Sequence, residues 1–238
     1  MIEIENLSVA FEGNYVIEDL SLSIPEGIIT VIAGRSGSGK TVLMKTVEGL
    51  IKPVAGRVLI DGTDIFRISE NELNAIRQKM ALLFQSSALF DSLNVFQNIA
   101  FPLIEHSGYS MAEIERLVDE KLGLVGLEDV HKKMPSELSG GMKKRAALAR
   151  AIIMNPKYII YDEPTTGLDP LIADDIITLI HSLNKKYKHT SIIITHDVNC
   201  IEKTADYIVI IDDGAIKFQG IYNDLLQIDD PYCRQFIK

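Results

Sequence analysis

Gly34-Arg35-Ser36-Gly37-Ser38-Gly39-Lys40-Thr41 is the stretch around which the chain is organised. The apolar run Ile28-Ile29-Thr30-Val31-Ile32-Ala33 precedes it, opened by a Pro25-Glu26-Gly27 turn, and reads as a strand buried on both faces. Beyond it, Val42, Leu43, Val47 and Leu50 recur at helical spacing and predict a helix over 42–50. Strand, glycine-rich loop and helix with the pattern G-x-x-x-x-G-K-[ST] form a phosphate-binding loop. Glycines let the backbone curl so that successive N–H groups point inward, and the helix start adds its positive end. Lys40 is then placed to reach β- and γ-phosphates, and the Thr41 hydroxyl to take a Mg²⁺ ligand position. The plainer alternative is a glycine turn beside a solvated lysine. The placement between strand and helix favours the phosphate site, without saying which nucleotide it takes.

The 238 residues suit one large domain, or one core with a smaller lobe. Hydrophobic residues at 47% and charged residues at 24% are ordinary for a globular protein. A net charge of −9 without a basic stripe argues against nucleic acid as the main partner. Two cysteines, Cys200 and Cys233, imply no disulfide framework and fit a reducing compartment. Met1-Ile2-Glu3-Ile4-Glu5 lacks the basic and apolar regions of a signal peptide, and the apolar runs are strand-sized. Any membrane role is therefore expected to come through a partner, and no regulatory domain is expected beyond Lys238.

Residues 2–24 alternate apolar and polar around Glu12-Gly13-Asn14, predicting antiparallel strands. Short β runs follow at Val58–Ile60 and Met80–Phe84. Helices are expected at Ser69–Gln78 and from Ser110, each with a Glu at capping-box spacing. Residues of about 88–155 read as mostly helical and interrupt the strand series, as an inserted lobe would. Strands resume at Tyr158–Tyr161, Ser191–Thr195 and Tyr207–Ile211, with an amphipathic helix over Leu171–Tyr187. This alternation gives an α/β fold with a parallel sheet covered on both faces. Asp213-Gly214 then signals a closing hairpin.

Ligands of open α/β sheets bind at the carboxyl ends of the strands. Asp162-Glu163 follows directly on one such run. Asp162 is expected to hold Mg²⁺ and Glu163 to orient and deprotonate a water. An acidic pair alone is more often a helix start, but beside a phosphate loop the chemical reading prevails. His196 ends the run Ile192–Thr195 and suits a γ-phosphate contact, with a capping or core role equally open. Gln85 follows Met80–Phe84, where an amide can bind Mg²⁺ or water, although unaided it reads as a turn residue. Leu138-Ser139-Gly140-Gly141-Met142 opens a helix to Ile153. It is either a serine N-cap or a second anion-gripping helix start, one that serves a nucleotide held by another copy of the chain.

Taken in order, these segments resemble the ATP-binding cassette (ABC) ATPase family over essentially the whole chain: Gly34–Thr41 as Walker A, Gln85 as Q-loop, Leu138–Met142 as signature, Tyr158–Glu163 as Walker B, Gly167-Leu168-Asp169 as D-loop and His196 as H-loop. The resemblance implies a P-loop NTPase with a RecA-like core, an N-terminal antiparallel β lobe and an inserted α-helical lobe, as a single domain over 1–238. It further implies ATP·Mg²⁺ sandwiched between two head-to-tail copies, with Gly34, Arg35, Ser36, Gly37, Ser38, Gly39, Lys40, Thr41, Gln85 and His196 of one facing Ser139, Gly140 and Gly141 of the other. An aromatic near the N-terminus stacks on adenine in such proteins, here Phe11 or, alternatively, Tyr15. Leu83–Leu103 and Pro135–Ile152 are similar to the ATPases of Mla-type phospholipid transporters. That similarity implies an integral-membrane permease, an MCE-domain lipid-binding protein, and a peripheral place on the cytoplasmic face of the inner membrane. Leu89, Phe90, Leu93, Val95 and Phe96 are expected partly as permease-docking surface. A non-transport cassette of the cell-division type, a cassette for another substrate and a metabolic P-loop kinase are the rival readings.

Overall fold

In the computed structural model, which describes residues 1–237, the chain begins with strands β1 (Ile2–Phe11) and β2 (Asn14–Ile24). Then come β3 (Ile29–Ala33), α1 (Lys40–Val47), β4 (Ala55–Ile60), β5 (Thr63–Asp64), α2 (Glu70–Arg77) and β6 (Met80–Leu83). The helical segment holds α3 (Val95–His106), α4 (Met111–Leu124) and α5 (Gly140–Ile152). The last third runs β7 (Tyr158–Asp162), α6 (Pro170–Tyr187), β8 (Thr190–Thr195), α7 (Val198–Thr204), β9 (Tyr207–Asp212), β10 (Ala215–Gly220) and α8 (Tyr222–Leu225).

The N-terminal alternation becomes a four-stranded sheet of order β2-β1-β4-β5. Pairings Ile2↔Ile24 and Ile4↔Leu22 on one side, and Ile2↔Ile60 and Ile4↔Val58 on the other, stack six apolar side chains on one buried face. That face packs against Ile32, Leu43, Val47 and Ile192 of the second sheet and α1. The second sheet has the order β10-β9-β3-β8-β7-β6 and is parallel except for β10. Its central strands are buried on both sides, which is why they read as continuous runs of Ile and Val.

Register is what builds the site. Ala33 pairs with Thr195, Asp162 with Ile194, and Leu83 with Tyr161. The carboxyl ends of β3, β6, β7 and β8 therefore finish at one edge, which delivers the phosphate loop, Gln85 and Asp162-Glu163 to the same crevice, with His196 beside it against Glu163.

Several boundaries differ from expectation. Helix α1 begins at Lys40 and stops at Val47, because Gly49 takes a φ of 73° and turns the chain out, leaving Leu50 exposed. Strand β6 ends at Leu83, so Phe84 lies outside it. Within 88–155 the helices are α3, α4 and α5, each N-capped by a side chain, at Asn94, Ser110 and Ser139. The stretch before α3 is irregular and is held by Asn98, whose side chain accepts from Phe90 N (2.7 Å) and donates to the Phe90, Leu93 and Asn94 carbonyls. Val95 is fully buried, and Leu89 and Phe96 pack on the core, so these three do not form an exposed surface. Phe84, just before this segment, and Phe90, Phe101 and Ile104 within it are exposed apolar side chains. Among the described residues no helix is long and apolar enough to cross a membrane.

Candidate active site

The phosphate loop is shaped by residues that tolerate close approach. Gly39, the N-cap of α1, has φ 100°, a left-handed backbone that glycine adopts without strain. A side chain at Gly34 would collide with the Ile211 carbonyl and come within 2.6 Å of Ser38 Oγ. Inside the loop Lys40 is buried, and its Nζ donates to Gly34 O (2.6 Å), Arg35 O (2.7 Å) and Ser38 Oγ (3.3 Å). Burial lowers its pKa, an effect opposed by the charges of Glu163 and Asp162. An ammonium held by its own loop is available to an anion that enters.

Across the crevice stand the two carboxylates. Burial, and then repulsion from Glu163, raises the pKa of Asp162, while Lys144, Lys40 and Lys45 pull it down. Glu163 sits at φ 47° with its N–H on Ile194 O (2.9 Å). One carboxylate oxygen meets His196 Nδ1 at 2.8 Å. The other accepts from Thr166 Oγ1 (3.2 Å) and Thr195 Oγ1 (3.4 Å). His196 is exposed while Glu163 is largely covered, so the imidazole caps the carboxylate from the solvent side. Lys40, Thr41, Gln85, Asp162 and Glu163 line one cleft of about 390 Å³ together with Ser36, Gly37 and Gly39. The hydroxyl, amide and carboxylate oxygens of Thr41, Gln85 and Asp162 there are hard donors of the kind Mg²⁺ takes, so the donor set fits that ion.

Not every expected residue is in this cleft. Ser139, Gly140 and Gly141 do not line it. Ser139 Oγ caps α5 by accepting from Met142 N (3.3 Å), and Gly141 is required by packing, since a Cβ there would come 2.6 Å from Ile172 Cγ2. Phe11 and Tyr15 are both exposed, and their neighbour Val16 lines the cleft instead. The Arg35 side chain turns away from the cleft towards Gln235.

Lys144 belongs to no motif legible in the sequence. It lies on α5 with 3% exposure and donates to Gln85 O (2.7 Å), with a longer approach to Glu163 O (3.5 Å). It ties the helix that starts at Ser139 to the backbone of two cleft residues of its own chain. In sequence it is one of three consecutive basic residues, Lys143-Lys144-Arg145, and only helical phase marks it as inward-facing.

A lysine-bearing loop between a buried parallel strand and a helix, facing an acidic strand end across one cleft, defines a P-loop nucleoside triphosphatase. The comparisons narrow the class. The family profile described as "ABC transporter" matches residues 17–166, and the chain belongs to the ABC transporter family of ATP-binding subunits. It is 44% identical, over 100% of its length and 90% of the relative's, to the intermembrane phospholipid transport system ATP-binding protein MlaF of Haemophilus influenzae. It is 43% identical to the probable ribonucleotide transport ATP-binding protein mkl of Mycobacterium leprae, over 100% of this chain and 68% of that one. Among solved structures, the cassette MJ0796, a dimer in a post-hydrolysis state bound to ADP and Pi, superposes with a TM-score of 0.84 at 30% identity, covering 93% of this chain and 98% of that one. The cbiO1 subunit of Clostridium perfringens gives 0.88 at 30% identity, covering 95% and 90%.

Proposed function

We propose that this ATPase drives phospholipid movement in the bacterial envelope through a separate membrane permease. The similarity to MlaF over nearly the full length of both chains is the observation that carries the substrate class. On this reading the chain is one cassette domain, lies at the cytoplasmic face of the inner membrane, and works with an MCE-domain lipid-binding protein.

Two copies close head to tail on two ATP molecules. In each site the loop N–H groups and Lys40 hold the β- and γ-phosphates, and Phe11 or Tyr15 covers the adenine. Thr41, Asp162 and Gln85 would hold Mg²⁺, which would supply charge neutralisation at the phosphates. Glu163 accepts the proton of the attacking water, and His196, already hydrogen-bonded to it, fixes its orientation beside the γ-phosphate. Ser139, Gly140 and Gly141 complete the partner's site, so association and hydrolysis are linked by mass action. That these three stand outside their own chain's cleft supports this division of labour.

A second concavity of about 840 Å³ lies between β6, α2 and α3, lined by Phe84, Phe90, Phe101, Arg77 and Arg150. Phe84 and Phe90 of its apolar lining flank Gln85 in sequence, and on this reading it receives a cytoplasmic helix of the permease. Reconstitution of the chain with an Mla-type permease in vesicles carrying fluorescent phospholipid tests the proposal. ATP-dependent transfer of the lipid supports it. ATP hydrolysis stimulated by a ribonucleotide, with no lipid moved, refutes the lipid assignment.

A further inference from the structure

The segment after β10 plays no part in the chemistry described above, yet it reaches the phosphate loop. Tyr232 Oη accepts the N–H of Arg35 (3.0 Å) and donates to Ile211 O (3.0 Å) at the end of β9. The Arg35 guanidinium lies over the Tyr232 ring, 5.2 Å from its centroid, and donates from Nη2 to Gln235 Oε1 (2.6 Å) and from Nε to the same oxygen (3.2 Å).

The platform that offers these groups is anchored. Cys233 and Phe236 are buried in the core, and the Tyr232 and Phe236 rings meet edge to face at 5.5 Å. Asp230 Oδ1 accepts from Tyr232 N (2.9 Å) and Cys233 N (2.8 Å), closing the turn that presents the tyrosine. The same loop residue is held from its other side, because Lys40 Nζ donates to Arg35 O at 2.7 Å. A phosphate in the loop would compete with that carbonyl for the Lys40 ammonium. Arg35 then keeps the Ser38 N–H on its carbonyl (3.2 Å), and the C-terminal segment holds its N–H and its side chain.

We propose that Tyr232 and Gln235 are positioning residues for the nucleotide: the C-terminal segment braces the entry of the phosphate loop at Arg35, so that the anion cradle keeps its shape when Lys40 turns to the phosphates. This rests on the phosphate-loop reading. A brace acts equally on ground state and transition state, so its loss weakens binding and leaves turnover at saturation unchanged.

The test measures Mg·ADP binding to the full chain by calorimetry, and steady-state ATP hydrolysis, for the wild type, Tyr232→Phe and Gln235→Ala. Tyr232→Phe removes only the hydroxyl, and Gln235 is exposed, so truncating it disturbs no core packing. A single hydrogen bond corresponds to about 3- to 10-fold in the dissociation constant. The expected result is a rise of that size in Tyr232→Phe, a smaller rise in Gln235→Ala, KM for ATP raised in parallel, and kcat within about twofold of wild type. Unchanged ADP affinity in both variants overturns the brace, as does a fall in kcat at constant KM. Should Tyr232→Phe fail to fold, Gln235→Ala decides by the same two criteria. A wild-type chain that binds no Mg·ADP defeats the phosphate-loop reading instead.

Discussion

Replacing Lys144 by Met isolates one link between the helical segment and the cleft. The side chain is buried, and its Nζ donates to Gln85 O at 2.7 Å, with the 3.5 Å approach to Glu163 O too long to count fully. A charge-assisted bond of this kind contributes about 1.5–3 kcal/mol. Burial already lowers the lysine's pKa, so removing the charge also removes a desolvation cost and trims the loss. A net destabilisation of about 1–2 kcal/mol corresponds to a fall of roughly 2–8 °C in Tm for a chain of this size. The catalytic effect is larger. Without its carbonyl anchor Gln85 drifts, and a misplacement near 1 Å at a reacting site costs about 10²-fold. Phosphate release at saturating ATP should therefore fall by about 10- to 100-fold. Affinity for ADP without Mg²⁺, set by the phosphate loop that Lys144 does not touch, should stay within about twofold. Lys144→Arg, which keeps a cation, should recover part of the rate. A lowered Tm with unchanged kcat, or affinity falling in step with kcat, refutes the reasoning.

Glu163→Gln should retain ATP and lose turnover by at least ~10²-fold, the scale of general-base loss, as read by single-turnover phosphate release; normal turnover would remove Glu163 from that role. Glu48, buried beside α1 and repelled by Asp162, has its pKa raised by burial from 4.5 to about 7. The folded state therefore holds the proton more tightly, and this contribution is fully present below pH 4.5 and lost as pH rises through 7. Glu48→Gln should raise Tm relative to wild type at pH 8, by up to about 3 kcal/mol of stability, and the gap should close towards pH 5; a gap independent of pH contradicts the assignment.

How much was legible depended on the distance over which each feature is encoded. The phosphate loop, the capping boxes at Ser69 and Ser110, and the β-branched strands are local patterns, and each stands where the sequence places it. The strand ends that meet at the cleft followed from one topological rule about parallel sheets. What stayed hidden is long-range. Lys144 and Gln85 are 59 residues apart, and Arg35 and Tyr232 are 197 apart, so no local period marks either pair. The apolar run after Gln85 misled for a related reason. Val95 and Phe101 look alike as letters, but the phase of α3 buries one and exposes the other. Leu50 shows the reverse, an apolar residue at helical spacing left in solvent because Gly49 ends the helix first.

The central claim is that a complete active site needs two chains, one giving Lys40 and Glu163 and the other Ser139. Sedimentation velocity of Glu163→Gln with ATP, with and without Ser139→Arg, tests it most directly. The account predicts an ATP-dependent dimer that vanishes in the double variant while each single chain still binds nucleotide. A dimer undiminished by Ser139→Arg would contradict it.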